Sequence, residues 1–415
     1  MSKKLFKPYF IVILAALFYT YEYLLRIEPS VMLGYLEHSL GTGKIGLAVM
    51  FSMYYYAYTP LQIGVGVMTD RYGPRRMLIS ALTTCLIGIF LFQFHNFTIA
   101  CIARVLIGMG SAFAFVGAVK LAAMWLPSNK FALFAGICTS LGMIGAMVGD
   151  VVLSWGIKAE GVSYILKMSF WAGILLLILF VIFLENKKDY SASESESNFK
   201  SVFHGLYSIV KRQEFWFVGI MGAVLYLSLS GLGEVWGVNY LKARFAISKT
   251  DAASMNALIF FGWLIGSPLM GWLSDRIRMR VRMLVIGCFV SAALGFIIFW
   301  APIHNIILMK CLIVLFGITS STEILVFAYA RDQVGSDLMA TGASFMNLIV
   351  MCSGIVAPIA IPAISNWAKG GSASTVQGQL MSVHGYQLGL TFVPAMMLIG
   401  GMLGLISYLY QNNKK

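Results

Sequence analysis

Gly66-Val67-Met68-Thr69-Asp70-Arg71-Tyr72-Gly73-Pro74-Arg75-Arg76 decides the reading of this chain. A second version begins 205 residues later as Gly271-Trp272-Leu273-Ser274-Asp275-Arg276 and runs on through Arg278, Arg280 and Arg282. Asp70 to Asp275 is the same 205 residues, about half of the 415-residue chain. Each copy follows one long apolar run and precedes another, so each reads as a tight basic loop between two membrane helices. A glycine lets neighbouring membrane helices approach closely. The aspartate at the helix end can accept from backbone N–H groups or pair with a basic neighbour. The arginines keep such a loop on the cytoplasmic side.

Composition agrees with a lipid-embedded chain. Hydrophobic residues make up 59% and charged residues 11%, against about 25% charged in soluble domains. Long continuous apolar runs favour helices, whose backbone groups are satisfied within each segment, over the short alternating strands of a membrane barrel. Twelve spans are expected, near 8–37, 44–68, 77–95, 98–125, 130–156, 163–184, 214–241, 251–274, 283–301, 304–329, 339–366 and 384–410. The expectation is an all-α membrane protein with twelve transmembrane helices in two pseudo-symmetric six-helix bundles. Residues 1–184 form the first bundle, 185–212 a cytoplasmic linker and 213–415 the second bundle. The linker carries a Ser/Glu run followed by helical spacing of apolar residues from Phe199 to Val210, which suits the membrane surface.

The net charge of +13 does not point to nucleic acid, because Lys and Arg concentrate in the loops and tails expected in the cytoplasm. That places both termini inside, in a cell inner membrane. The six cysteines all lie in apolar segments with no C-x-x-C pair, so they read as buried thiols rather than disulfide or metal partners. No P-loop, hydrolytic triad, metal spacing or haem ligand is present. The chain is therefore expected to be no enzyme, to hold no cofactor or metal, and to draw on a gradient rather than ATP; that the gradient is one of protons is what the resemblance given below implies.

Ionisable residues inside lipid are costly and mark function by default. The first span holds Glu22, Arg26 and Glu28. Glu22 and Arg26 share a helix face with Tyr19 and Tyr23, whereas Glu28 lies roughly 240° further round the helix. The functional reading lines a cavity with Glu22 and Arg26; the plainer one is an i,i+4 pair that serves packing. Arg104 and Lys120 lie in the fourth span, about 160° apart. Glu323 follows Lys120 by 203 residues, and Glu234 follows Glu28 by 206. The first spacing suggests a gate pair across the halves at the inner mouth, Lys120 with Glu323, the plainer reading being separate partners such as Arg331 for Glu323; a second pair at the outer mouth, Arg26 with Glu234, is what the resemblance given below implies. Glu22, Glu28, Glu234 and Glu323 are the proton-coupling candidates. Asp150 follows a stripe of small residues in the fifth span and reads as structural. Tyr54 and Tyr55, Trp236, Asn239 and Asn347 complete the cavity candidates, although buried Tyr and Asn also serve helix packing.

The G-x-x-x-D-R-x-G-x-R-R loop and its degenerate second copy resemble the signature of the major facilitator superfamily. In that signature Gly66, Asp70, Arg71, Gly73, Arg75 and Arg76, with Gly271, Asp275 and Arg276, serve as conformational loops. Arg104-Val-Leu-Ile-Gly108 resembles its fourth-helix pattern. The runs Phe18 to Arg26, Tyr54 to Gln62 and Gly110 to Lys120 resemble the phagosomal transporter family of intracellular bacteria and, more distantly, the lysosomal dipeptide carriers. The resemblance implies a monomeric carrier in the bilayer. It imports a small polar solute, an amino acid or short peptide, by proton symport with alternating access. The rival expectations are nucleoside uptake, export of a drug or siderophore, and a non-transporting sensor of the same fold.

Overall fold

The computed structural model describes residues 3–42, 44–94, 96–148, 153, 157, 159–185, 199–367 and 382–412. Asp150, most of the linker run and the Gly/Ser-rich stretch 368–381 lie outside the described residues. All regular structure among the described residues is helical. Two compact units divide the chain: Met1–Ile209 with Ala330–Leu348, and Val210–Tyr329 with Ile349–Lys415.

The first unit contains α1 (Lys3–Val31), α2 (Lys44–Tyr72), α3 (Pro74–Phe92), α4 (Phe97–Trp125), α5 (Phe131–Val148) and α6 (Val162–Phe183). A short helix, Leu33–Ser39, follows α1. Local chemistry sets the ends. Pro74 occupies the first turn of α3, where its missing N–H costs nothing. The Asn96 side chain accepts from the Ile99 N–H and starts α4, a cap that contributes about 1 kcal/mol. α4 is rich in buried Ala and Gly, so it packs tightly against α2 and α3, while α1 packs on α4 and α5. Pro29 falls in the last turn of α1, and that helix is continuous.

The strongly amphipathic α7 (Phe199–Lys211) follows in sequence, its residues up to Ile209 belonging to the first unit. The second unit contains α8 (Gln213–Leu227), which continues into a π-helical stretch, Ser228–Trp236. It goes on through α9 (Leu258–Ile277), α10 (Arg280–Trp300) and α11 (Ile306–Ser320). A 3₁₀ turn, Ser321–Ile324, links α11 to the helix Leu325–Val334. Then come α12 (Met339–Trp367), whose first third belongs to the first unit, and α13 (Phe392–Asn412). Such π and 3₁₀ interruptions inside long helices recur at functional sites.

Eleven helical segments among the described residues are long and apolar enough to cross a membrane. The twelfth expected span is α2, a 29-residue helix. Its tyrosines, Pro60 and Gln62 dilute its hydropathy, for a reason the site makes plain. The cysteines divide: Cys85, Cys138 and Cys288 are buried, but Cys311 and Cys352 are exposed on helix surfaces. An apolar thiol needs no protein shelter where the surrounding solvent is lipid.

Candidate substrate site

The buried charges of the first unit converge on one tyrosine. Glu22 is fully buried and Arg26 nearly so. The Arg26 guanidinium donates to Glu22 Oε1 from Nε at 2.9 Å and from its terminal nitrogen at 2.6 Å. The Tyr54 hydroxyl donates to the same oxygen, and Arg26 Nε lies 3.3 Å from that hydroxyl. Arg26 is also wrapped in aromatic rings, with its guanidinium carbon 4.5 Å from the Tyr23 centroid, 5.4 Å from Tyr58 and 6.0 Å from Tyr55. Stacking of this kind stabilises a desolvated cation by about 2 kcal/mol. The i,i+4 spacing of helices produces the arrangement, since Tyr19 and Tyr23, Glu22 and Arg26, and Tyr54 and Tyr58 are each one turn apart.

Arg104 enters the cluster from α4. Its guanidinium carbon lies 4.9 Å from the Tyr54 centroid, and one terminal nitrogen donates to the Leu25 carbonyl at 3.0 Å. It is 2% exposed, yet among the described residues no carboxylate bonds to it and its Nε has no partner. Glu22 Oε2 is likewise buried without a partner among them. Leaving such groups unpaired is costly, so an incomplete charged cluster is an invitation to a polar ligand.

Other predicted residues complete the rim. Tyr19 packs edge-on to Tyr23 at 5.0 Å and against Phe115 at 5.1 Å. Tyr55 is exposed. Asn347 donates to the Tyr58 hydroxyl at 3.4 Å. Tyr58, stacked on Tyr54 at 5.7 Å, joins the site although sequence reasoning did not single it out; its spacing from Tyr54 was the available signal. Glu28 points away from Glu22, as the helix geometry requires, and accepts from the Ser169 hydroxyl of α6 at 2.8 Å.

The first signature loop anchors a distant segment of chain. Asp70 Oδ1 pairs with Lys120 Nζ at 2.7 Å. The same carboxylate accepts from the Ala340 N–H at 3.2 Å, the Thr341 N–H at 2.7 Å and the Thr341 hydroxyl at 2.6 Å. Asp70 thus caps the start of α12 from another helix, where the unpaired N–H groups and the helix dipole favour an anion. Lys120 Nζ also donates to the carbonyls of Ser336 and Asp337 at 2.6 and 2.8 Å. Arg331 donates to the Leu126 and Ala123 carbonyls at the end of α4. Gly66 is required here: a Cβ on it would lie 2.6 Å from the Ala340 carbonyl oxygen and 2.7 Å from Thr341 Cα. Gly73 turns the chain at φ 82°. Arg75 donates to the carbonyls of Leu184 and Val181 at the end of α6. Arg71 stacks on Tyr72 at 5.0 Å, and Arg76 is exposed.

The second copy is local. Asp275 pairs with Arg280 at 2.9 Å, Arg280 donates to the Ser274 hydroxyl, and Arg276 stacks on Trp272 at 5.6 Å; Gly271 is buried. Within its own unit, Lys120 is held by Asp70 and two carbonyls, and Arg26 by Glu22 one turn away. Glu234 accepts from the Tyr226 hydroxyl at 3.3 Å. Glu323 is buried in the 3₁₀ turn of the second unit. Trp236 packs against Tyr386 at 6.4 Å and Asn239 is half-buried. Both stand in the second unit, outside the cluster around Tyr54.

Several known proteins are similar to this chain. A probable sulfoacetate transporter of Cupriavidus necator, SauU, is 22% identical, with 86% of this chain and 87% of that protein covered. A probable galactarate/D-glucarate transporter of Escherichia coli K12, GudP, is also 22% identical, covering 87% and 88%. The crystal structure of the transporter FucP superposes with a TM-score of 0.73 at 16% identity, covering 95% of this chain and 98% of that one. The first two are named as probable carriers of acids; the expected likeness to phagosomal amino-acid or lysosomal dipeptide carriers is not shown. The sequence matches the Major Facilitator Superfamily over residues 9–358: this chain is a multi-pass membrane protein that belongs to that superfamily of secondary transporters.

Proposed function

We propose that this protein carries a small organic anion, bearing a carboxylate or sulfonate, into the cell across the inner membrane together with protons. The observation that carries the reading is Arg104, a buried guanidinium with no bonded carboxylate and an unpartnered Nε beside Arg26 on the same tyrosine. Two guanidiniums with fixed rotamers suit the planar or trigonal oxygens of an acid group, which arginine binds as a fork. The tyrosine hydroxyls supply donors for a hydroxylated body. The acid, sugar-acid and anion carriers among the relatives support the same class. Proton coupling is consistent with carboxylates buried beside these arginines, since loading a proton changes the charge that the anion meets.

A second reading rests on one atom. Glu22 Oε2, buried and unpartnered, would accept from the ammonium of a zwitterion, which is the amino-acid expectation. Proteoliposome uptake separates the two. Labelled D-glucarate and sulfoacetate should accumulate under an inward proton gradient and compete with one another, while alanine and dialanine should not compete. Competition by the zwitterions at equal strength would overturn the anion reading.

A further inference from the structure

Two neighbouring cavities lie inside the first unit, and the narrower one reaches Glu28. One, of about 120 Å³, lies where the short helix Leu33–Ser39, the end of α3 and the start of α6 meet. It is lined by Tyr35, Ser39, Gln93, Ser163 and Lys167, among others, and has room for several waters. This end of the unit is opposite the signature loop. In the orientation expected from the basic residues, it faces outward. Phe92 and Leu166 line this pocket and also line a second, narrower one, of about 10 Å³, together with Glu28 and Arg104. That volume is about the size one water needs.

From this observation we propose that Glu28 is a proton-binding carboxylate of the carrier, and that it is loaded from the outer face through the interior of the first bundle rather than through the substrate site. The proton arrives on hydronium in the outer pocket and passes Phe92 and Leu166 along water. An O–H bond to the last water breaks as one forms to a carboxylate oxygen of Glu28, and neutral water is left behind. The proposal rests on the anion reading in one respect, the coupling. Glu28 and Arg104 share a cavity wall, so a charged Glu28 offsets the guanidinium, and a neutral one leaves its full charge for the anion. Proton and anion then raise each other's affinity by the same factor.

The groups around Glu28 are few. α6 contributes Ser169, which donates to Glu28 Oε1, and Lys167 in the outer pocket. α4 contributes Arg104. On α1 itself, the Tyr21 hydroxyl is committed to the Ser169 carbonyl at 2.8 Å. α5 carries no charged residue, and the short helix carries Glu37 and the exposed His38. Glu28 is 4% exposed, so the narrow cavity is its route to water.

The test uses the purified full chain in liposomes and needs no substrate. Infrared difference spectra between pH 8 and pH 5 should show a protonated-carboxyl band that Glu28→Gln abolishes and Glu22→Gln retains. Ser169→Ala, which removes the donated hydrogen bond, should move that band to higher frequency and serves if the glutamine variant does not fold. A band that Glu28→Gln leaves unchanged, or that Ser169→Ala does not move, overturns the assignment. Gln93→Cys, with Cys101, Cys311 and Cys352 replaced by serine, should respond about tenfold more slowly to an external pH jump once a membrane-impermeant thiol reagent fills the pocket. An unaltered rate overturns the route. For uptake of D-glucarate and sulfoacetate, Glu28→Gln should abolish the dependence on the proton gradient while leaving counterflow exchange. Loss of the band in Glu28→Gln, with no uptake of any acid by the wild type, upholds the proton site and overturns the anion reading.

Discussion

Buried polarity takes different forms in the two units. In the first, Glu22, Glu28, Asp70, Arg104 and Lys120 are all buried; Glu22 and Arg104 meet at Tyr54, Glu28 turns to Ser169, and Asp70 and Lys120 clamp the start of α12. In the second, the interior polar centre is neutral. Trp263 donates to the Ser320 hydroxyl at 2.9 Å and to that of Ser228 at 3.3 Å, and Ser228 donates to Ser320 at 2.9 Å. Among the described residues its buried charges are Asp275, paired within its own loop, and Glu323. A neutral hydroxyl network contributes about 1 kcal/mol per bond and tolerates loss of a member. A buried ionic cluster does not, since removing one partner strands the other. The repeat therefore keeps the signature loop in both copies, while among the described residues most buried charges fall in the first unit.

That contrast can be broken in order of expected effect. Replacing Arg104 or Arg26 with Gln should lower anion uptake roughly 100-fold, because a charge-assisted contact worth about 3 kcal/mol is lost; Arg104→Lys should recover little, since it keeps the charge and loses the fork. Next, Asp70→Asn should destabilise the protein by about 3–5 kcal/mol in a thermal denaturation series, as Lys120 is left buried and α12 loses its cap. The matching Asp275→Asn, which weakens the pair with the less deeply buried Arg280, should cost roughly half that. Gly66→Ala should fall between them in stability, because its added methyl meets the α12 backbone. Smallest of all, Ser228→Ala or Ser320→Ala should cost about 1 kcal/mol and change anion uptake less than twofold. If a serine variant removed uptake as fully as Arg104→Gln, the binding chemistry would not be concentrated in the first unit.

Much of the architecture was readable because lipid imposes long apolar runs and because the signature loop is written twice. Eleven spans follow from hydropathy alone. The twelfth, α2, was visible only as a run between loops, since Tyr54, Tyr55, Tyr58 and Gln62 lower its hydropathy. The Glu22, Arg26, Tyr19 and Tyr23 face was legible from helical periodicity. Arg104's approach to Tyr54 was not, because it depends on how α2 and α4 pack. Repeat spacing predicts depth in the membrane, not the partners a buried charge finds inside its own bundle, such as Asp70 for Lys120. Asp70 shows the same limit: the sequence marks it as a capping residue, while the helix it caps begins 269 residues later at Met339.

Thermal stabilisation of the purified protein by acids, measured beside their uncharged amides and in the Arg104→Gln variant, tests the central claim most directly. The account predicts that D-glucarate and sulfoacetate raise the melting temperature of the wild type, that the amides do not, and that Arg104→Gln removes the effect. Equal stabilisation by the amides, or a shift that survives in Arg104→Gln, would contradict it.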